Sequence, residues 1–231
     1  MSLTNWLSLA LALIWLVFAV RVYGRFYPPE RHFAWARFIA RVAIFGAIST
    51  ILYVVPIFQI KLFFLPSFLE LHFDEIPAFI AGFAYGPLTG FAVLFIKTLI
   101  KLPFSSTLTV GEWSDLLYSS VYVVSSALVY KKMRNLKGVA LGFALGTFLQ
   151  ILVTSVVNVV VTLPFYMQLF GLSYDVLLGI CQKANPAIQD LTWSYILYVN
   201  LPLNAIKDAI VIIATFLIYR SIHKLLRYDA R

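Results

Sequence analysis

Four polar side chains stand in stretches that are otherwise apolar: Lys97, Asn158, Asn204 and Lys207. A central lysine costs roughly 2.5–3.5 kcal/mol to place in hydrocarbon, so such residues need partners and mark sites. Asn204 and Lys207 are i and i+3 and share a helix face. Asn158 follows Thr154-Ser155-Val156-Val157 in a separate apolar stretch. An amide both donates and accepts, and an ammonium donates, so two amides and a lysine suit the edge of a neutral heteroaromatic ring. The competing reading is glue between helices. There Lys207 pairs with Asp208, Glu112 or Asp115, and the asparagines bridge neighbours.

Other chemistry finds less support. Glu112 and Asp115 open a helix, where acids complement the helix dipole; the sharper reading pairs them with a ligand or with Lys97. His72, Asp74 and Glu75 are close enough for a metal, but read more simply as a solvated helix cap at a membrane surface. No Walker A or H-E-x-x-H sequence is present. The single cysteine, Cys181, excludes an intrachain disulfide framework. No metal or cofactor is expected, and no catalytic group.

The elements that must position these residues are membrane helices. The chain has 231 residues, of which 61% are hydrophobic and 12% charged, against about 25% charged in soluble domains. The net charge of +8 therefore reads as orientation in a bilayer rather than nucleic-acid binding. Leu3–Val20 is long enough for one span. A basic linker follows, with Arg21, Arg25, Arg31, Arg37 and Arg41 broken by Pro28-Pro29. Further spans are expected over 36–58, from Asp74 to Gly86, from Pro87 to Pro103, over 112–130, 139–166 and 193–219. An apolar, proline-containing loop over 58–73 precedes the third span, and a loop over 168–192 precedes the last. The domains expected are an extra N-terminal helix over 1–25, a linker over 26–35 and a six-helix body over 36–231.

Basic clusters at 21–41, 131–137 and the C-terminus alternate with loops holding few positive charges. The basic clusters are thus expected in the cytoplasm, with the N-terminus and the 59–73, 104–111 and 167–192 loops outside. All four membrane-depth polar residues then lie in the outer half. Phe63, Phe64 and Phe68 of the first outer loop are placed to close over them. Ala36, Ala40, Ala43 and Ala47 recur at helical spacing beside Gly46. Small residues on one face admit another helix closely, either within this chain or on a partner membrane protein.

Several stretches together resemble one family. They are Leu65-Pro66-Ser67-Phe68-Leu69 running into Phe73-Asp74-Glu75-Ile76-Pro77-Ala78, then Tyr85-Gly86-Pro87-Leu88-Thr89-Gly90, Ile96-Lys97 and Gly111-Glu112. Asn158 with Leu163-Pro164-Phe165-Tyr166, and Leu201-Pro202-Leu203-Asn204-Ala205-Ile206-Lys207, complete the set. From Ala36 to about Leu226 the chain resembles the substrate-binding S-components of energy-coupling factor (ECF) vitamin transporters, specifically the riboflavin group. The D-x-I-P and G-P-x-x-G parts are shared across vitamins. The Asn…L-P-x-Y and P-x-N-x-x-K parts are closer to the riboflavin group.

The resemblance implies an all-α, six-helix membrane bundle, here with one additional N-terminal helix. It implies a subunit that captures riboflavin as transported ligand from outside the plasma membrane. Delivery inward is implied to need a transmembrane coupling subunit and two cytoplasmic ATPase subunits. Asn158, Asn204 and Lys207 match the residues that hold the flavin ring, Phe68 a cover aromatic and Lys97 a family lysine. Ala43 and Ala47 match the family's A-x-x-x-A docking face. The chain departs from the family at His72, Thr98, Asp115 and Asp208. The readings carried beside riboflavin are another heteroaromatic vitamin or flavin such as FMN and, in a different class, a membrane-embedded lipid-modifying enzyme.

Overall fold

The computed structural model describes residues 35–66, 69–105 and 109–228, together with Val17 and Arg21, and side chains as far as Ser221. The expected N-terminal helix and basic linker lie almost wholly outside the described residues. The remainder is helical. α1 spans Trp35–Val54, α2 Glu75–Tyr85, α3 Pro87–Lys101 and α4 Val110–Met133. α5 spans Leu136–Val157 and continues through a π turn at Asn158–Thr162 into α6, Leu163–Phe170. α7 is Tyr174–Ala184. The short α8, Trp193–Tyr195, passes through a second π turn at Ile196–Asn200 into α9, Leu201–Tyr228.

Among the described residues, four helical stretches can cross a membrane by length and composition: Trp35–Val54, Pro87–Phe104, Leu136–Phe170 and Trp193–Ser221. The other two expected spans differ from expectation for physical reasons. α2 has 11 residues, about 16 Å at 1.5 Å per residue, roughly half of a 30 Å hydrocarbon core. It is buried along most of its length, and the loop before it supplies the missing depth. α4 is long enough but carries Ser114, Ser119, Ser120, Ser125 and Ser126 as buried residues. It can afford them because it runs through the middle of the bundle rather than facing lipid.

Between α2 and α3, Gly86 has φ of 104°, a conformation that only glycine adopts cheaply. Its N–H bonds the Gly82 carbonyl at 3.0 Å while Pro87 starts α3 with a preset φ, so the chain reverses with no added loop. The core on this side is aromatic. Phe79 meets Tyr122 at 4.6 Å and Phe143 at 4.9 Å between ring centroids, while Phe83 meets Tyr130 at 5.1 Å.

Both π turns end against a Leu-Pro step. Proline cannot donate the helical hydrogen bond and its ring crowds the preceding turn. The helix responds by widening: Leu163 N–H bonds the Asn158 carbonyl, and Leu201 N–H bonds the Ile196 carbonyl. The result is a one-residue register shift before each proline.

The region over 168–192, expected as a plain loop, contains α7. Ser173 caps it, its Oγ accepting from Val176 N–H at 3.4 Å, and Leu177 and Cys181 face inward. They join Leu65, Leu163, Ile188, Leu191, Tyr195 and Val199 in a second apolar cluster, separate from the aromatic core.

α4 and α5 pack with no spare room. Gly138, Gly142 and Gly146 recur every fourth residue. A Cβ on Gly142 would lie 2.6 Å from the Ser126 carbonyl oxygen. Gly179 in α7 has nothing within 4 Å of that position. Gly142→Ala is therefore expected to destabilise the detergent-purified protein by about 1–3 kcal/mol, while Gly179→Ala is neutral or stabilising by roughly 0.5–1 kcal/mol. Thermal melts of the two variants check the contrast.

Candidate substrate site

The start of α2 carries adjacent acids with no exposed surface, Asp74 and Glu75. They do not form a solvated cap: the Asp74 side chain makes no capping hydrogen bond. Each instead takes a lysine from a different helix. Lys97 of α3 is ion-paired with Asp74 and with Asp115 of α4, the latter at 2.7 Å. Lys207 of α9 is ion-paired with Glu75, whose Oε1 also accepts from Ser119 Oγ at 3.0 Å. Lys97 lies over the Tyr53 ring, 4.2 Å from its centroid, a cation–π contact strengthened by burial. Ser49 of α1 donates to the Asp74 carbonyl at 2.6 Å.

Beside this charged cluster runs a ladder of amides from the two π turns and the adjoining α5 and α9. Asn158 Nδ2 donates to Asn200 Oδ1 at 2.9 Å. Asn204 Nδ2 donates to the same oxygen at 2.9 Å and to the Asn200 carbonyl at 2.7 Å. Asn200 Nδ2 donates to Ser155 Oγ at 2.9 Å. Gln150 Nε2 donates to Asn204 Oδ1 at 3.1 Å, and Tyr118 OH donates to Asn158 Oδ1 at 3.1 Å.

The end of the bundle near these networks carries the loop before α2. Ile60 and Leu71 exchange backbone hydrogen bonds at 3.0 and 2.8 Å, folding the segment into a hairpin. Leu65 is buried in the second apolar cluster, with Phe64 packed against it, whereas Phe63 is 94% exposed and turns away. Phe68 lies outside the described residues. Outside the spans, Glu70 bridges Lys61 at 3.3 Å and His72 at 3.7 Å. Its carboxyl is pulled from 4.5 down to about 2, chiefly by the hydrogen bond with His72, with Lys61 adding to it and burial opposing.

Several expectations change on these facts. The sequence singled out Asn158, Asn204, Lys207, Lys97 and Asp115, and the structure brings them into two adjoining networks. It missed Asn200, the amide that joins Asn158 to Asn204, and Gln150. Their signal was present, because Asn200 is i−4 to Asn204 and Gln150 is i−4 to Thr154 and i−8 to Asn158. The expected partners of Lys207 were Asp208, Glu112 or Asp115; its partner is Glu75. Asp208 is buried, and neither of its oxygens has a hydrogen-bond partner among the described residues. Glu112 accepts from Ser105 Oγ at 2.7 Å. Ala36, Ala40, Ala43 and Ala47 are all exposed on α1, while Val42, Gly46, Ser49 and Tyr53 face inward. Among the described residues no group of His, Cys, Asp and Glu is arranged to hold a metal ion.

Fold and site together define a helical membrane protein with two buried polar networks between its helices beneath an apolar loop. The family model for the substrate-specific component of ECF transporters matches residues 37–219, and the chain belongs to that family. It is 27% identical to the riboflavin transporter RibU of Staphylococcus aureus over 187 residues, covering 81% of this chain and 92% of that one. It is 25% identical over 185 residues to the riboflavin transporter FmnP of Bacillus subtilis, covering 78% and 90%. A solved structure described as the S component of a bacterial ECF transporter aligns with a TM-score of 0.62 and 25% identity, over 83% of this chain and 98% of that one.

Removing the Lys97 ammonium while Asp74 and Asp115 remain leaves two buried carboxylates uncompensated. Lys97→Met is expected to cost about 3–5 kcal/mol, and Lys97→Met combined with Asp74→Asn and Asp115→Asn to recover most of it, read by thermal unfolding. For Glu70 the folded pKa lies below the unfolded one, so its contribution is complete above pH 4.5 and fades as pH falls toward 2. Glu70→Gln is expected to remove that acid-range slope from the melting profile.

Proposed function

We propose that this chain is the riboflavin-binding S-component of an ECF-type uptake transporter. It captures the vitamin at the outer face of the plasma membrane and catalyses no reaction itself. The observation that carries this reading is the amide ladder of Asn158, Asn200 and Asn204 beside the Lys207–Glu75 pair, in a family whose named relatives are riboflavin transporters. The flavin ring presents carbonyl oxygens and a ring N–H along one edge. Amides supply both complements, and the surrounding helices and the cover supply an apolar slot for the tricyclic body.

The charges favour riboflavin over its phosphate. Both lysines are already matched by Asp74, Glu75 and Asp115, so the recess offers no spare cation to a phosphate dianion. The exposed alanines of α1 support docking of a transmembrane coupling subunit on that face, with two ATPase subunits behind it. The basic clusters support a cytoplasmic C-terminus.

Titration of the purified chain with riboflavin, followed by quenching of flavin fluorescence, is expected to be saturable and near stoichiometric. Asn200→Ala and Asn204→Ala are each expected to weaken binding by about 10-fold or more, at roughly 1–3 kcal/mol per amide left unpaired. FMN is expected to bind at least as much more weakly. Absence of saturable quenching by monodisperse protein overturns the assignment.

A further inference from the structure

A cavity of about 800 Å³ opens at the end of the bundle opposite the hairpin loop, where α4 turns into α5 beside α9. Its floor is the hydrogen-bonded pair Tyr130 and Tyr219, held from beneath by Phe83, 5.1 and 6.0 Å from the two rings. Its walls are apolar, from Val139 and Phe216, with Leu136 61% exposed at the mouth. Its rim is basic, with Arg134 and Lys137 from the turn and Arg220 from α9.

Arg134 and Lys137 are both exposed and make no ion pair among the described residues. Arg134 also holds a left-handed backbone, φ 49°, that an arginine adopts only at some cost. Its N–H closes α4 on the Tyr130 carbonyl at 2.7 Å. Asn135 then caps α5, its Oδ1 accepting from Gly138 N–H at 2.8 Å. The turn is thus locked, with both cations presented at the mouth of an apolar slot.

We infer that this cavity binds an anionic phospholipid, with the phosphodiester headgroup at Arg134, Lys137 and Arg220 and an acyl chain along Leu136, Val139 and Phe216. A soluble anion would use the rim and leave the apolar walls idle. A neutral lipid would use the walls and leave Arg134 and Lys137 unmatched. Only an amphiphile carrying a phosphate matches both, and basic pockets between membrane helices on this side recognise such headgroups. Nothing in this inference depends on which vitamin the recess at the other end holds.

The test uses the full chain in detergent, with melting temperature and native mass spectrometry as readouts. The probes are phosphatidylglycerol, phosphatidylcholine and inorganic phosphate. Phosphatidylglycerol is expected to raise the melting temperature and to stay bound as one molecule, less so at high salt. At about fivefold per basic residue, Arg134→Gln with Lys137→Gln is expected to lose about 25-fold in phosphatidylglycerol affinity. Lys183→Gln, at the far end, is expected to lose none. Equal retention of phosphatidylcholine, equal protection by inorganic phosphate, or unchanged affinity in the double variant each overturns the inference.

Discussion

The structure depends on two neighbouring acids finding two separate lysines inside the membrane. Asp74 and Glu75 begin α2, and from that one point they reach α3 and α9, with Asp115 of α4 completing the set. No member is tolerable alone at that depth. α2, α3, α4 and α9 must therefore arrive together or the charges stay in water. Hydrophobic burial in a bilayer offers little drive for one helix to choose another. Here the choice is made by electrostatics, and the aromatic core around Phe79 and Phe83 fills in behind it.

The same arrangement explains why α2 is half a helix. A full-length span would put Asp74 and Glu75 at the outer surface, beyond reach of Lys97 and Lys207. Shortening it lowers the acids to the depth of the lysines and draws the preceding loop in as a plug. That loop closes on itself through Ile60 and Leu71 and anchors through Leu65. A charged cluster, an amide network and an apolar loop thus come together, each from different parts of the chain.

Much of this was legible in the sequence. Long apolar runs with basic ends revealed most helices, and the cost of Asn and Lys in hydrocarbon singled out Asn158, Asn204, Lys97 and Lys207. What escaped was whatever depended on partners distant along the chain. Asp74 and Glu75 look like ordinary caps until Lys97 and Lys207 are seen to meet them. Asn200 looks like one more polar residue until the π turn rotates it onto Asn158. α7 hides in a loop because its 11 residues are amphipathic rather than apolar. Gly138, Gly142 and Gly146 form a small-residue seam that the same logic applied to the α1 alanines would have found.

The hairpin roof has a kinetic meaning. Leu65 sits in a cluster contributed by α6, α7, α8 and the chain just before and beyond α8, so the hairpin lifts only when that cluster parts. The apolar cluster thus sets how firmly the hairpin is held, while the amides set the polar contacts. Either property can be altered by substitution without touching the residues that set the other.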